Sequence, residues 1–170
     1  GSELVRLFST WNTEITVVRR RPDPLPGADR TITADQLDDV LPEADVVVLA
    51  AAATPDTAQM FGTEQFELMN EQAVFVNIAR GTLVDTDALV AALANRKIRS
   101  AGLDVTDPEP LPDGHPLWDE PNCIITPHTA DTPPMVIQLL DERIVRNLDR
   151  LAEGTAPDKF EGLVDVQVGY

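Results

Sequence analysis

The 170-residue sequence contains few cysteine, histidine and basic residues. A single cysteine, Cys123, excludes an internal disulfide framework and a cysteine-based zinc site, and it is typical of a reducing compartment. The only histidines, His115 and His128, lack ligand spacing, so we expect no metal site. Because 13 Lys and Arg residues stand against 29 Asp and Glu residues, the formal net charge of -16 repels nucleic acid and anionic membranes. Any anionic ligand therefore needs a local cationic pocket.

Long hydrophobic runs and an active-site serine motif are also missing. The longest apolar run, from Val46 to Ala53, is too short to cross a bilayer, and no basic-then-apolar leader opens the sequence. None of the three serines, Ser2, Ser9 and Ser100, lies in a Gly-x-Ser-x-Gly context, which argues against a serine hydrolase. We therefore expect a soluble, cytoplasmic protein.

Short apolar runs alternate with helical patterns along the chain. The strand candidates are Ile15–Val18, Ala44–Ala51, "AVFVNIA", "SAGLDV" and "NCIITPH", and the helix candidates are Ser2–Trp11, Thr33–Leu41, Asp85–Asn95 and a long helix from Thr132 to Gly154. The strand runs are continuously apolar, which predicts burial on both faces. This pattern predicts an α/β fold with a doubly wound parallel sheet of the Rossmann type, with ligands at the carboxyl ends of its strands.

The sequence has no Gly-x-Gly-x-x-Gly turn, and no strand that would precede one. Its opening "GSELVRLF" fits the helix that follows such a turn, with Gly1 at the third glycine; alternatively, Gly1 and Ser2 are a cloning remnant. Without a first strand, its two neighbours would lie about 10 Å apart with unpaired backbone. We therefore expect residues 1–153 to be a partial NAD(P)-binding domain of a longer protein, and this fragment alone to be inactive. Residues 154–170 are expected to return toward an absent N-terminal substrate domain.

Chemically useful side chains follow several of the predicted strands. Arg19, Ala51, Arg80, Asp104 and His128 come after five different strands and should converge along one edge of the sheet. Singly, each has an ordinary structural role as an alternative: Arg80 as a surface ion pair, Glu109 as a solvated loop acid and His128 as a hydrogen-bonded structural residue. Together, a guanidinium, a carboxylate and an imidazole form a set that suits catalysis.

Carbonyl reduction is the reaction that this set fits. When a hydride reaches the carbon of a 2-oxo acid, a general acid must protonate the oxygen, and His128 is the candidate. Glu109 would raise the pKa of that imidazole and orient its ring. Arg80 would hold the substrate carboxylate with two hydrogen bonds, and Gly81 would let the backbone turn closely beside it.

Three linked motifs carry a resemblance to a known family. "NIARGTLVDTDALVAAL", "AGLDVTDPEPLP" with "HPLW", and "NCIITPHTA" resemble the C-terminal signature blocks of the D-isomer-specific 2-hydroxyacid dehydrogenases. The resemblance covers nearly the whole chain and implies an NAD(P)-dependent oxidoreductase that acts as a homodimer. It also implies that Arg80, Glu109 and His128 are the catalytic set and that Asp104 hydrogen-bonds the nicotinamide carboxamide. The backbone around Ala79 and the loop after Leu49, including Ala51, would line the cofactor.

Two stretches depart from the family pattern. Alanines 51 and 52 stand where the family more often has polar or proline residues, so only backbone contacts to the cofactor are expected there. After His128 the chain reads Thr-Ala-Asp-Thr instead of a small, glycine-containing run, which would alter access to the nicotinamide.

A basic cluster indicates which cofactor the protein prefers. At the end of the second strand of a dinucleotide fold, an acidic residue binds the ribose hydroxyls and repels a 2′-phosphate. Here the position is Arg19, followed by Arg20 and Arg21, which favours NADP(H) and leaves NAD(H) possible. The alternative is a solvated basic loop on an acidic surface.

The expected substrate is a small 2-oxo or 2-hydroxy acid, and the sequence does not select among glyoxylate, hydroxypyruvate and phosphohydroxypyruvate. The rival hypothesis is a non-catalytic regulatory or scaffolding protein that binds a dinucleotide with the same fold. The ionisable trio favours the enzyme, because a sensor has no physical need for it.

Overall fold

The computed structural model describes residues 1–131 and 133–164, which form two compact units. The first unit spans Gly1–Thr126, and the second begins at Pro127. The predictions made for Thr132 and for residues 165–170 lie outside the described residues.

Strands and helices alternate through the first unit, as the sequence predicts. The elements are α1 (Ser2–Phe8), β1 (Thr16–Val18), β2 (Arg30–Ile32), α2 (Leu37–Val40), β3 (Val46–Leu49), α3 (Thr63–Leu68), β4 (Val74–Asn77), α4 (Thr86–Ala94), β5 (Ser100–Leu103), α5 (Pro116–Asp119) and β6 (Cys123–Ile125). The pattern of apolar residues missed β2, α3 and α5, because these elements are short and carry little apolar periodicity of their own.

The strands form two parallel sheets. β1 pairs with β2, and a separate four-stranded sheet has the order β3-β4-β5-β6. The register aligns Leu49, Asn77, Leu103 and Ile125, so the carboxyl ends of four strands lie at one edge. The α/β fold with a Rossmann-like parallel sheet is thereby confirmed. Among the strands of residues 1–131 and 133–164, β1 and β3 each pair on one side only.

The main core lies against the four-stranded sheet. Phe75 on β4 is fully buried, and its ring centroid lies 5.0 Å from that of Phe61 and 5.2 Å from that of Phe66. Burial on both faces was predicted for every apolar strand, and this is wrong at the sheet's outer strands. Val46 on β3 is 50% exposed and Ile124 on β6 is 71% exposed, because each strand has a neighbour on one side only.

Local capping explains several helix boundaries. The Asp85 carboxylate accepts a hydrogen bond from the Ala88 backbone N–H at 3.1 Å, which fixes the start of α4. Thr33 forms a capping box with Gln36 before the short 3₁₀ turn that leads into α2. Asn12 has the left-handed φ of +55° that its position predicted, although α1 itself ends earlier, at Phe8.

The second unit contains one long helix and a segment that folds back along it. The helix α6 spans Pro133–Ala152, with Pro133 at the first helical position as predicted. The Asn147 side chain exchanges two hydrogen bonds with the backbone of Glu161, at 2.8 and 3.1 Å. A hydrogen bond from Arg146, with the added charge of Arg150, holds the pKa of the Glu161 carboxyl below its usual value. Across residues 1–131 and 133–164, every helix is too short or too polar to cross a membrane.

Candidate active site

The carboxyl edge of the four-stranded sheet carries the candidate site of the first unit. Asn77 and Leu103 are paired neighbours at the ends of β4 and β5, so Arg80 and Asp104 follow from adjacent strands. The Asp104 backbone N–H donates to the Asn77 carbonyl at 2.9 Å, which extends the pairing one step beyond the strands. The predicted convergence is therefore observed for the residues after β4 and β5.

Asn77 builds the turn that presents Arg80. This side chain is 1% exposed; its Oδ1 accepts from the Ala79 backbone N–H and its Nδ2 donates to the Arg80 carbonyl, each at 3.0 Å. A buried amide with both ends satisfied makes a rigid local support. The Arg80 side chain lies on the surface, where its Nη1 donates to the Ala79 carbonyl at 2.6 Å.

The charged neighbours of Arg80 distinguish a structural ion pair from a role in binding an anionic ligand. No carboxylate of the described residues forms an ion pair with its guanidinium. The surface ion pair that would explain Arg80 structurally is thus absent from this part of the chain. In a protein with a formal net charge of -16, an arginine that has no counter-ion among residues 1–131 and 133–164 suits an anionic ligand.

Gly81 brings the Arg80 turn against the loop that follows β5. A Cβ added at Gly81 would lie 1.9 Å from the Thr106 carbonyl oxygen and 2.5 Å from the Asp107 nitrogen. No side chain fits in that space, so the predicted need for glycine beside Arg80 is confirmed. This contact places the segment that leads to Glu109 directly against the Arg80 turn.

Asp104 is one of two buried polar residues in the core of the first unit. It is 7% exposed, and its Oδ1 accepts a hydrogen bond from the Thr126 hydroxyl at 2.5 Å. Thr126 follows β6, and its backbone N–H donates to the Leu103 carbonyl at 2.8 Å. Two strand ends therefore fix the orientation of one carboxylate, which suits a group that must hold a fixed hydrogen-bonding direction.

The other two members of the predicted catalytic set lie in different units. Glu109 is on the surface in the proline-rich loop after β5, within the first unit. His128 belongs to the second unit, has a φ of +54° and is exposed. The contact of the Glu109 carboxylate with the His128 imidazole stays a prediction.

The predicted cofactor-binding positions are spread over the first unit. Arg19 and Arg20 follow β1 in the two-stranded sheet, where the Arg19 backbone N–H donates to the Ile32 carbonyl at 3.0 Å. Ala51 follows β3 and packs partly against the core. Ala79 is buried in the Arg80 turn. Gly1 precedes α1, where its carbonyl accepts from the Val5 backbone N–H at 3.2 Å.

Three residues that support the site were not singled out from the sequence: Asn77, Thr86 and Thr126. Of the three, only Asn77 could be recognised from the sequence. It ends the apolar run "VFVN", and an amide side chain at the end of a buried strand needs hydrogen-bond partners in the core. The threonines are common at strand and helix ends, so their long-range partners are visible only in three dimensions. In residues 1–131 and 133–164, no group of three His, Cys, Asp or Glu side chains could hold a metal ion.

Known proteins and a family model match most of this chain. Residues 1–130 match the model of the D-isomer specific 2-hydroxyacid dehydrogenase, NAD binding domain. Over 170 residues the chain is 42% identical to an uncharacterized protein of the proB 3′ region of Corynebacterium melassecola, covering 100% of this chain and 55% of that protein. Human glyoxylate reductase/hydroxypyruvate reductase is 43% identical over 109 residues, which cover 64% of this chain and 33% of the human protein.

A solved structure agrees with these relatives. The crystal structure of a D-isomer specific 2-hydroxyacid dehydrogenase from Xanthobacter autotrophicus Py2, in complex with NADPH and MES, matches with a TM-score of 0.85 and 31% identity. The match covers 100% of this chain and 68% of that one. The chain spans about half the length, or less, of the curated relatives named above. The chain belongs to the D-isomer-specific 2-hydroxyacid dehydrogenase family, and its first 130 residues match that family's NAD-binding domain.

Proposed function

We propose that this chain is the cofactor-binding part of a reductase that transfers a hydride from NAD(P)H to a small 2-oxo acid. The observation that carries the proposal is the Arg80 turn, which presents a guanidinium without a carboxylate partner in the described chain beside the buried, oriented Asp104. Relatives named as glyoxylate and hydroxypyruvate reductases support the same substrate class.

Arg80 binds the substrate carboxylate in this mechanism. Its planar guanidinium matches two carboxylate oxygens. The hydrogen bonds of the Asn77 side chain to the Ala79 and Arg80 backbone hold the turn in place. The bound NAD(P)H supplies the hydride. Asp104 would accept a hydrogen bond from the nicotinamide carboxamide, and Thr126 holds the Asp104 carboxylate in place.

His128 is the proton donor in this scheme. As the carbonyl carbon accepts the hydride, negative charge grows on its oxygen, and the imidazolium of His128 delivers a proton there to give the 2-hydroxy acid. Glu109 orients the ring of His128 in this scheme by accepting a hydrogen bond from it.

The residues present fit part of a dinucleotide site. The oriented carboxylate of Asp104 suits the nicotinamide end, and Arg19 and Arg20 at the end of β1 suit a 2′-phosphate. We therefore propose a preference for NADPH over NADH. β1 and β3 each have one sheet edge without a strand partner among the described residues, so we propose that a longer, homodimeric, cytoplasmic polypeptide supplies a further strand with the glycine-rich turn and carries the activity.

The activity is tested on the full-length protein by the loss of NADPH absorbance with glyoxylate and with hydroxypyruvate. His128→Ala should lower kcat by at least about 100-fold while NADPH binding, followed by cofactor fluorescence, stays within about twofold. Arg80→Gln should chiefly raise the KM for the 2-oxo acid. Turnover that survives His128→Ala would refute the proton-donor assignment, and an intact protein that binds NADPH without reducing any 2-oxo acid would favour a dinucleotide sensor.

Cofactor preference is tested separately. In the double variant Arg19→Asp, Arg20→Ala, the ratio of kcat/KM for NADPH to that for NADH should fall by at least about tenfold, because a carboxylate repels the 2′-phosphate and accepts from ribose hydroxyls. Arg99→Ala is the matched control, since Arg99 is exposed just before β5, at the opposite end of the strands. An unchanged ratio in the double variant would show that the cluster is only a solvated basic loop.

A further inference from the structure

The loop that carries Glu109, residues 107–113, has few backbone N–H groups. Pro108, Pro110 and Pro112 alternate with other residues in "DPEPLPD", and a proline has no backbone N–H. The prolines leave few backbone donors for turns within this loop, although the His115 backbone N–H donates to the Pro112 carbonyl at 3.2 Å. Side-chain donors therefore take a large share in satisfying its carbonyl oxygens.

Three side chains supply those donors. The Thr86 hydroxyl donates to the Asp107 carbonyl at 2.6 Å, and the Thr106 hydroxyl donates to the Pro108 carbonyl at 2.9 Å. On the far side of Glu109, the Trp118 indole N–H donates to the Pro112 carbonyl at 2.9 Å. Thr106 belongs to the loop itself, whereas the other two donors reach it from helices.

Both helical donors stand on well-fixed elements. Thr86 is the first residue of α4, directly after the Asp85 cap, and Leu89 and Leu93 of the same helix are each 2% exposed. Trp118 is on α5, where the neighbouring Leu117 is also 2% exposed. Glu109 lies between the two anchored carbonyls, so its backbone is held from both sides by elements of the core.

We infer that Thr86 and Trp118 are positioning residues for Glu109: their donors fix the proline-rich loop and thereby place the carboxylate that orients the catalytic imidazole. The inference rests on the proposed reductase function. Thr86 is the stronger anchor, because its hydrogen bond is shorter and lies two residues from Glu109, beside the close contact of Gly81 with Thr106. Trp118 is 52% exposed and acts three residues away.

The experiment compares Thr86→Val, Thr86→Ser and Trp118→Phe in the full-length enzyme. Thr86→Val keeps the shape and removes the donor, so kcat should fall about tenfold while KM for the 2-oxo acid and for NADPH stays within about twofold. Thr86→Ser restores the hydroxyl and should restore kcat to within about twofold. Trp118→Phe keeps an aromatic side chain but removes the indole N–H, and we expect it to lower kcat about threefold. Thr63→Val is the matched control, since Thr63 also opens a helix but has no side-chain hydrogen bond within the described residues.

Amide hydrogen exchange gives a second readout that does not require turnover. Peptides covering residues 104–112 should exchange faster in Thr86→Val than in the wild type or in Thr86→Ser. Wild-type kcat and exchange in Thr86→Val, or equal losses in Thr86→Val and Thr86→Ser, would overturn the inference. A wild-type enzyme that reduces no 2-oxo acid would refute the proposed function instead, and the exchange comparison then decides whether Thr86 anchors the loop.

Discussion

The two sheets of the first unit contain strands of similar composition, but the side chains of these strands are buried to different extents. In the four-stranded sheet, Phe75 and Leu103 lie in a continuous apolar core. In the two-stranded sheet, Ile32 is the buried strand residue, and all three residues of β1 are only half-buried. The sequence "TVV" of β1 is as suitable for a buried parallel strand as "VFVN" of β4.

Pairing, more than composition, accounts for this difference. β4 and β5 have a neighbour on each side, and every second residue in them is buried. β3 and β6 have one neighbour each, and Leu49 is the one residue in them that is buried. A strand with one neighbour therefore keeps apolar surface that only a further element can cover.

The largest expected difference between the sheets is in stability. Phe75→Ala should lower the free energy of unfolding by about 4 kcal/mol, because it empties the space between Phe61 and Phe66. Val17→Ala in β1 should cost about 1 kcal/mol, since this side chain is already half-exposed. Urea denaturation followed by circular dichroism measures both values. Equal losses would mean that the two sheets are equally well packed.

Gly81→Ala tests the tightest backbone contact at the carboxyl edge. The added Cβ would lie 1.9 Å from the Thr106 carbonyl oxygen, so backbone has to move, at an expected cost of about 3 kcal/mol. Gly102→Ala is the matched control in β5, where the nearest atom, Cγ2 of Val76, would be 3.8 Å away. Thermal unfolding should show a large drop in Tm for the first variant and little change for the second. A similar Tm for both would contradict the close approach.

The edge itself could be predicted from sequence because parallel strands obey a simple rule. The apolar runs before Arg80 and Asp104 end at these charged residues, and the carboxyl ends of parallel strands lie together, so the sequence alone predicts that both residues lie at one edge. The need for Gly81 followed from its position beside a functional turn. Such predictions use only local order and strand direction.

The supporting hydrogen bonds could not be predicted in the same way. Thr86 and Asp107 are 21 positions apart, and Thr126 and Asp104 are 22 apart, and nothing in the local pattern links either pair. The strand β2 follows a proline-rich loop and offers three residues, too few to show a period. These features depend on distances that only the folded chain defines.

The thiol of Cys123 on β6 reports how well the four-stranded sheet is shielded from solvent. Burial raises the pKa of this thiol from 9.0 to about 11, with a smaller contribution from the negative charge of Glu120. At pH 8 the folded protein should therefore react with iodoacetamide about 100-fold more slowly than the urea-unfolded protein. Since the pKa is raised in the folded state, the thiol's contribution to stability is complete below about pH 9 and is lost as the pH rises toward 11.

A cysteine placed in the other sheet completes that comparison. Val17→Cys in a Cys123→Ser background puts a thiol on β1, which does not pack against the main core as Cys123 does, so less desolvation predicts faster alkylation at pH 8 than at Cys123. Mass spectrometry follows both reactions over time. Equally slow alkylation at the two positions would show that β1 is as well covered as β6.

The last comparison concerns the Thr126 hydroxyl. It tests whether the four-stranded sheet binds the part that NADPH and NADH share, while the arginines after β1 bind the 2′-phosphate. Thr126→Val in the full-length enzyme removes the donor to Asp104 and should raise the KM for NADPH and for NADH by about tenfold each, because a hydrogen bond to a charged group contributes about 1.5 kcal/mol. The ratio between the cofactors should not change, since the carboxamide is common to both. Thr126→Ser should restore both KM values. A change in the ratio would mean that this edge, and not the arginines after β1, senses the 2′-phosphate.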